Sequence, residues 1–118
     1  MLSLIRRHMP PVVSYRVARY EHEGPLLRIN LSLELVDGST LYVKEYRFSD
    51  GSRKYSFHWV DADGGLIIRW DNAEHWPDIA TFPHHKHLGT EALPRPSTET
   101  SLDAVLQVIA EKYDQGGG

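Results

Sequence analysis

The 118-residue sequence contains no cysteine, which removes disulfides, thiolate metal sites and cysteine nucleophiles together and suits a reducing compartment. Long hydrophobic runs are missing too. No segment approaches the roughly 20 apolar residues of a membrane span, and the opening MLSLIRR carries its charges on the wrong side for a secretory signal. Excess charge of one sign is also lacking. A formal net charge of −3 gives no overall attraction to nucleic acid or an anionic membrane, so any polyanion site must be a local patch. A chain of this length buries about two-thirds of its extended surface and needs neither metal nor disulfide to fold. The expectation is a soluble, cytoplasmic domain with no cofactor, residues 1–115 forming one α+β unit and Gly116 to Gly118 a flexible tail.

What is present is alternation. Leu27, Ile29, Leu31, Leu33 and Leu35 alternate with Arg28, Asn30, Ser32 and Glu34, the pattern of a strand with one buried face. Val13, Tyr15 and Val17 give a weaker version from Val12 to Tyr20. Asp37-Gly38, Asp50-Gly51 and Asp63-Gly64 each separate two such runs, and Asp-Gly suits the positive φ angles of a tight hairpin. A five-stranded antiparallel meander follows. Near the C-terminus Leu102, Val105, Leu106, Ile109 and Tyr113 form one helical stripe behind Thr100 or Ser101 as N-cap, so the fold class is α+β, with a helix packed on one sheet face. Met1 to Pro11 reads as a lead-in. Asn72 to Thr100, holding four of the seven prolines, reads as a long loop.

Two-residue turns would carry one face across the meander. That face collects Leu27, Ile29, Leu31, Leu33, Leu35, Tyr42, Tyr46, Phe48, Tyr55, Phe57, Trp59, Ile68 and Trp70, with Lys44 and Thr40 as polar members. The opposite face collects Arg28, Asn30, Glu45, Arg47, Ser56, His58, Arg69 and Asp71, with Val43, Val60 and Ile67 among them and Arg16 if the first strand pairs in phase. His58 would then lie directly opposite Arg69.

The stretch from Tyr55 to His87 holds five of the seven histidines. His84, His85 and His87 with Lys86 among them, and His75 upstream, are the densest chemistry in the chain. Cleaving a phosphodiester needs a base for the 2′-hydroxyl, an acid for the leaving oxygen and cations for the phosphate. His58 with His85 or His87 suits the first two roles, Glu45 being an alternative base; Arg69, Arg47, Arg28 and Lys86 suit the third. Asp71, Asn72, His75, Trp76 and His84 complete the candidate substrate contacts. Trp76 suits a base-stacking platform, a partner anchor or a clamp holding the loop. The same sheet face also suits plain cross-strand charge pairing or non-catalytic docking of a protein or nucleic acid, and the histidine loop suits a metal-dependent hydrolase.

The run YSFHWVDADGGLIIRWDNAEHWPDIATFPHHKHLG resembles the TumE-like toxins of bacterial and archaeal toxin–antitoxin pairs. The motifs that carry it are His58 in an aromatic strand, Arg69 followed by Asp71 and Asn72, then His75, and the closing TFPHHKH from Thr81 to His87. Trp76 departs from the pattern, since the family often has a second histidine there. The resemblance implies a cytoplasmic toxin neutralised by a helix-turn-helix antitoxin, with RNA as the natural target and homodimerisation open.

Overall fold

The computed structural model describes residues 2–116. Its elements run α1 (Leu2–Arg7), β1 (Val12–Glu23), β2 (Leu26–Leu35), β3 (Thr40–Arg47), β4 (Arg53–Val60), β5 (Leu66–Asp71), β6 (His85–Leu88), β7 (Arg95–Pro96) and α2 (Leu102–Gly116). Every strand pairs antiparallel with the next, giving a meander in the order β1 to β7. The expected α+β class and meander are present, but the sheet has seven strands rather than five. The two additional strands come from the segment read as loop. Its prolines and histidines hide any alternation, and β6 forms because the outer edge of β5 offers a ladder of unpaired backbone groups. Pro96 has no N–H to donate and stands on the last strand, where none is needed.

The lead-in is also more than expected: α1 places Ile5, 0% exposed, in the core. Helix α2 begins where the stripe predicts, with Ser101 Oγ accepting from the Ala104 N–H at 3.2 Å. Leu102, Val105, Leu106 and Ile109 are all buried against the sheet, each stabilising the fold by about 1.5–3 kcal/mol. Of the predicted tail, Gly116 ends α2, and Gly117 and Gly118 lie outside the described residues.

The face assignment needs one correction, in β3. Each Asp-Gly loop holds three residues, not two: Leu35 N–H donates to Ser39 O, Phe48 N–H to Ser52 O and Asp61 N–H to Gly65 O. Gly38, Gly51 and Gly64 take φ near +85° as the last loop residue, the conformation only glycine adopts without strain. An odd loop pairs odd with odd, so Leu33 faces Leu41 and Leu31 faces Val43. Leu41 and Val43 are therefore core, while Tyr42 is 50% exposed and Phe48 is exposed. Tyr42, Lys44 and Tyr46 move to the polar face; Val43, Glu45 and Arg47 leave it. The second odd loop restores the expected assignment in β4, where Tyr55, Phe57 and Trp59 are buried. Between β4 and β5 the third odd loop is offset by a bulge: Val60 pairs Leu66 and Trp59 pairs Ile68, leaving Ile67 extra.

The segment before α2 is fastened to the core side by Glu99. Its carboxylate accepts from Lys86 Nζ at 2.9 Å, Thr98 Oγ1 at 2.9 Å and the Trp70 indole at 3.3 Å. Burial alone would raise its pKa, but these bonds and the Lys86 charge outweigh it and hold the carboxyl at about 2. A carboxylate depressed on folding stabilises above its unfolded value near 4.5, and that contribution is lost as pH falls through about 2. Glu99→Gln is expected to cost about 2 kcal/mol at pH 7 and to flatten the acid dependence of stability below 4.5. Urea melts at neutral and acidic pH check this; an unchanged acid dependence would mean Glu99 does not carry it.

Candidate active site

The register lines up polar side chains in two neighbouring rows across the sheet. One row runs Arg16, Ser32, Tyr42, His58, Arg69, His87; the next runs Arg19, Asn30, Lys44, Ser56, Asp71, His85. Strands spaced about 4.8 Å apart make neighbours in a row the closest side-chain contacts on a sheet. Glu21, Arg28, Tyr46 and Lys54 form a third, shorter row. Although the chain is acidic overall, this face is locally basic: Arg16, Arg19, Arg28, Lys44, Lys54 and Arg69 outnumber Glu21, Glu34 and Asp71. A groove of about 570 Å³ lies along it, lined among others by Tyr42, Lys44, Tyr46, Lys54, His58, Arg69 and Asp71.

His58 and Arg69 line one side of the groove together. They are direct cross-strand partners, and Arg69 Nη1 approaches His58 Nδ1 at 3.4 Å. Arginine can only donate, so Nδ1 is the acceptor and the neutral ring carries its proton on Nε2. Desolvation first, and the Arg69 charge second, lower the His58 pKa below its ordinary 6.5, so the ring is held neutral at pH 7. Tyr42 meets its edge, ring centroids 6.5 Å apart.

Beside them sits a tighter cluster. Asp71, buried, accepts from Arg69 Nε at 3.2 Å and from the Ala73 N–H at 3.0 Å. His85, 1% exposed, places Nε2 at 2.9 Å from Asp71 Oδ1. His87 pairs with Arg69 across the β5–β6 ladder and meets the His85 ring edge-on at 5.1 Å. Donor atoms of Asp71, His85 and His87 all lie within 4.8 Å of one another, a spacing that could hold a metal ion. Trp76, half-buried, lies edge-on to His87 at 6.4 Å and lines the same rim as His75.

The histidine segment therefore joins the site as a strand of the same sheet, not as part of a long loop. The structure brings together His58, Arg69, Asp71, His85 and His87, with His75 and Trp76 at the edge and Arg28 at the far end. Five candidates lie elsewhere. Glu45 and Arg47 sit on the opposite face, where Glu45 bridges Arg47 and Arg53, both at 3.2 Å. Lys86 binds Glu99 there, and His84 Nδ1 lies 2.7 Å from the Tyr55 hydroxyl. Asn72 brackets the start of β4, accepting from Tyr55 N–H at 2.9 Å and donating to Arg53 O at 2.8 Å, so both ends of its amide serve the backbone.

Tyr42, Lys44, Tyr46 and Lys54 were missed. A signal for the first three existed: Asp-Gly-Ser recurs at residues 37–39 and 50–52, and each serine N–H donates to the aspartate two residues back at 2.9 Å. That bracket belongs to a three-residue loop and would have set β3 the right way round.

Among known families, residues 1–113 match the family model described as toxin TumE. No curated protein and no solved structure matches the chain.

Proposed function

Since the chain belongs to the toxin TumE family, we propose that its toxicity arises from cleavage of RNA on the basic face of the sheet, by side chains alone and without a metal ion. The observation that carries this reading is the row Tyr42, His58, Arg69, His87. It supplies a stacking surface, a neutral imidazole, a phosphate fork and a second imidazole in adjacent positions. A phosphate docked on Arg69 draws Nη1 away from His58 Nδ1. The freed lone pair takes the proton of the neighbouring 2′-hydroxyl as that oxygen attacks phosphorus. The bond from phosphorus to the 5′-oxygen breaks, and the leaving oxygen takes a proton from the imidazolium form of His87, which desolvation first and His85 second make the minor form at pH 7. The products are a 2′,3′-cyclic phosphate and a free 5′-hydroxyl. Lys44 and Lys54 hold the flanking phosphates as point charges, and Tyr42 and Tyr46 offer faces to the bases.

Untagged protein incubated with total cellular RNA, with and without EDTA, is expected to cleave in both arms and leave cyclic phosphate ends. Intact RNA in both arms would overturn the enzymatic reading in favour of a non-catalytic docking face; cleavage abolished by EDTA would overturn its metal independence. The partner this reading carries is a helix-turn-helix antitoxin that neutralises the toxin. Among the described residues no helix is long and apolar enough to cross a membrane.

A further inference from the structure

We propose that Asp71, His85 and His87 form a binding site for a divalent transition metal ion of the zinc type, and that occupancy switches the RNA-cleaving face off. The inhibitory half rests on the role given to His87 above; the binding half stands on geometry alone.

The geometry begins with the register. Asp71 opposes His85 and Arg69 opposes His87, so the three donors face the same side of two adjacent strands, all within 4.8 Å. His85 is the informative member. Its Nδ1 lies 3.0 Å from the Pro83 carbonyl, which can only accept, so Nδ1 carries the hydrogen and a neutral ring turns the Nε2 lone pair toward Asp71. That nitrogen is buried and has no hydrogen-bond partner among the described residues, although Asp71 Oδ1 is only 2.9 Å away. The two atoms are close but not aligned for an N–H to bridge them. Two lone pairs facing each other in a buried site need a cation between them, and without that alignment a proton fills the need poorly. A metal ion suits the arrangement. A ligating histidine commonly donates its other ring N–H to a backbone carbonyl, as His85 does to Pro83.

Asp71 is oriented by the same logic. Arg69 holds Oδ2 and the Ala73 N–H holds Oδ1, fixing the carboxylate while leaving a lone pair of Oδ1 to ligate. Two imidazoles and one carboxylate leave room in the coordination sphere, and an open cavity of about 430 Å³, lined by His75, Trp76 and Glu91, adjoins the cluster. Mixed nitrogen and oxygen donors select zinc, nickel or copper over magnesium and calcium, which prefer oxygen alone. The Arg69 guanidinium opposes a second positive charge and keeps the affinity moderate. An ion held here takes the His87 ring nitrogen in place of its transferable proton, so the leaving oxygen loses its proton donor.

The test titrates untagged protein with zinc chloride by calorimetry. Wild type is expected to bind one ion saturably and magnesium not at all. His85→Ala and His87→Ala are expected to weaken zinc binding by at least about tenfold, while His58→Ala keeps it. His87 is only half-buried, so its variant reports even if the His85 variant fails to fold. No saturable binding by folded wild type, or unchanged affinity in His87→Ala, overturns the site. Zinc is expected to suppress RNA cleavage and EDTA to restore it; cleavage unaffected at saturating zinc overturns the switch. Zinc binding without any RNA cleavage leaves the site standing and removes the ribonuclease reading instead.

Discussion

His58→Ala is expected to lower RNA cleavage by roughly 10²–10⁴-fold with little effect on stability, because His58 is only half-buried and, among the described residues, its one side-chain hydrogen-bond contact is the long approach of Arg69. Arg69→Ala is expected to cost about 10²–10³-fold by removing the charge that meets the phosphate. The two can be told apart by pH. His58 works as a base in its neutral form, and burial together with Arg69 depresses its pKa. The acidic limb of the rate profile therefore falls below the ordinary value of 6.5. Arg69→Gln takes away one of the two depressing causes, so the residual activity should fail at a higher pH than wild type does. Single-turnover cleavage of a defined oligonucleotide measures both the loss and the limb. A His58→Ala rate within threefold of wild type would remove the base assignment, and a limb unmoved in Arg69→Gln would remove the coupling between the pair.

The pairing of His58 with Arg69 was legible in the sequence for a reason only partly captured by its logic. Two-residue turns predict it; the structure reaches it through a three-residue loop and the extra residue Ile67, whose parity changes cancel. In β3 nothing cancels, and its faces are exchanged. Parity errors of this kind arise because alternation fixes which residues share a face within a strand, while the loop length fixes which face that is. The leucines of β2 and the stripe of α2 needed no such information and were readable directly. Strand β6 was unreadable for another reason. His85, Lys86 and His87 carry no apolar alternation, and the segment is ordered by backbone pairing to β5 and by Asp71, a partner fourteen residues away in sequence. What composition did give was the local concentration of histidine, and the sheet divides it: His85 and His87 to the site, His84 to the other face.

Exchange of the two faces of β3 has a consequence large enough to decide between the registers. Leu41→Lys is expected to abolish cooperative folding, whereas Tyr42→Lys, one residue away, should melt close to wild type. Leu41 is 0% exposed and pairs with Leu33, also 0% exposed, in the middle of the core. Truncating such a leucine costs about 2–5 kcal/mol. A lysine there must in addition either lose its charge or drag water into a site lined by Val43, Phe57 and Trp59. The sum approaches the entire 5–15 kcal/mol by which a domain is stable. Tyr42 is 50% exposed on the basic face, where a lysine stays solvated and keeps its stem against the sheet, so the change should stay within about 1 kcal/mol. Two-residue turns would demand the reverse order, with Tyr42 in the core and Leu41 in water. Circular dichroism melts of the two variants read the answer directly: a stable Leu41→Lys beside an unfolded Tyr42→Lys would overturn the register of β3. Tyr42, Lys44 and Tyr46 would then leave the face on which RNA cleavage is placed.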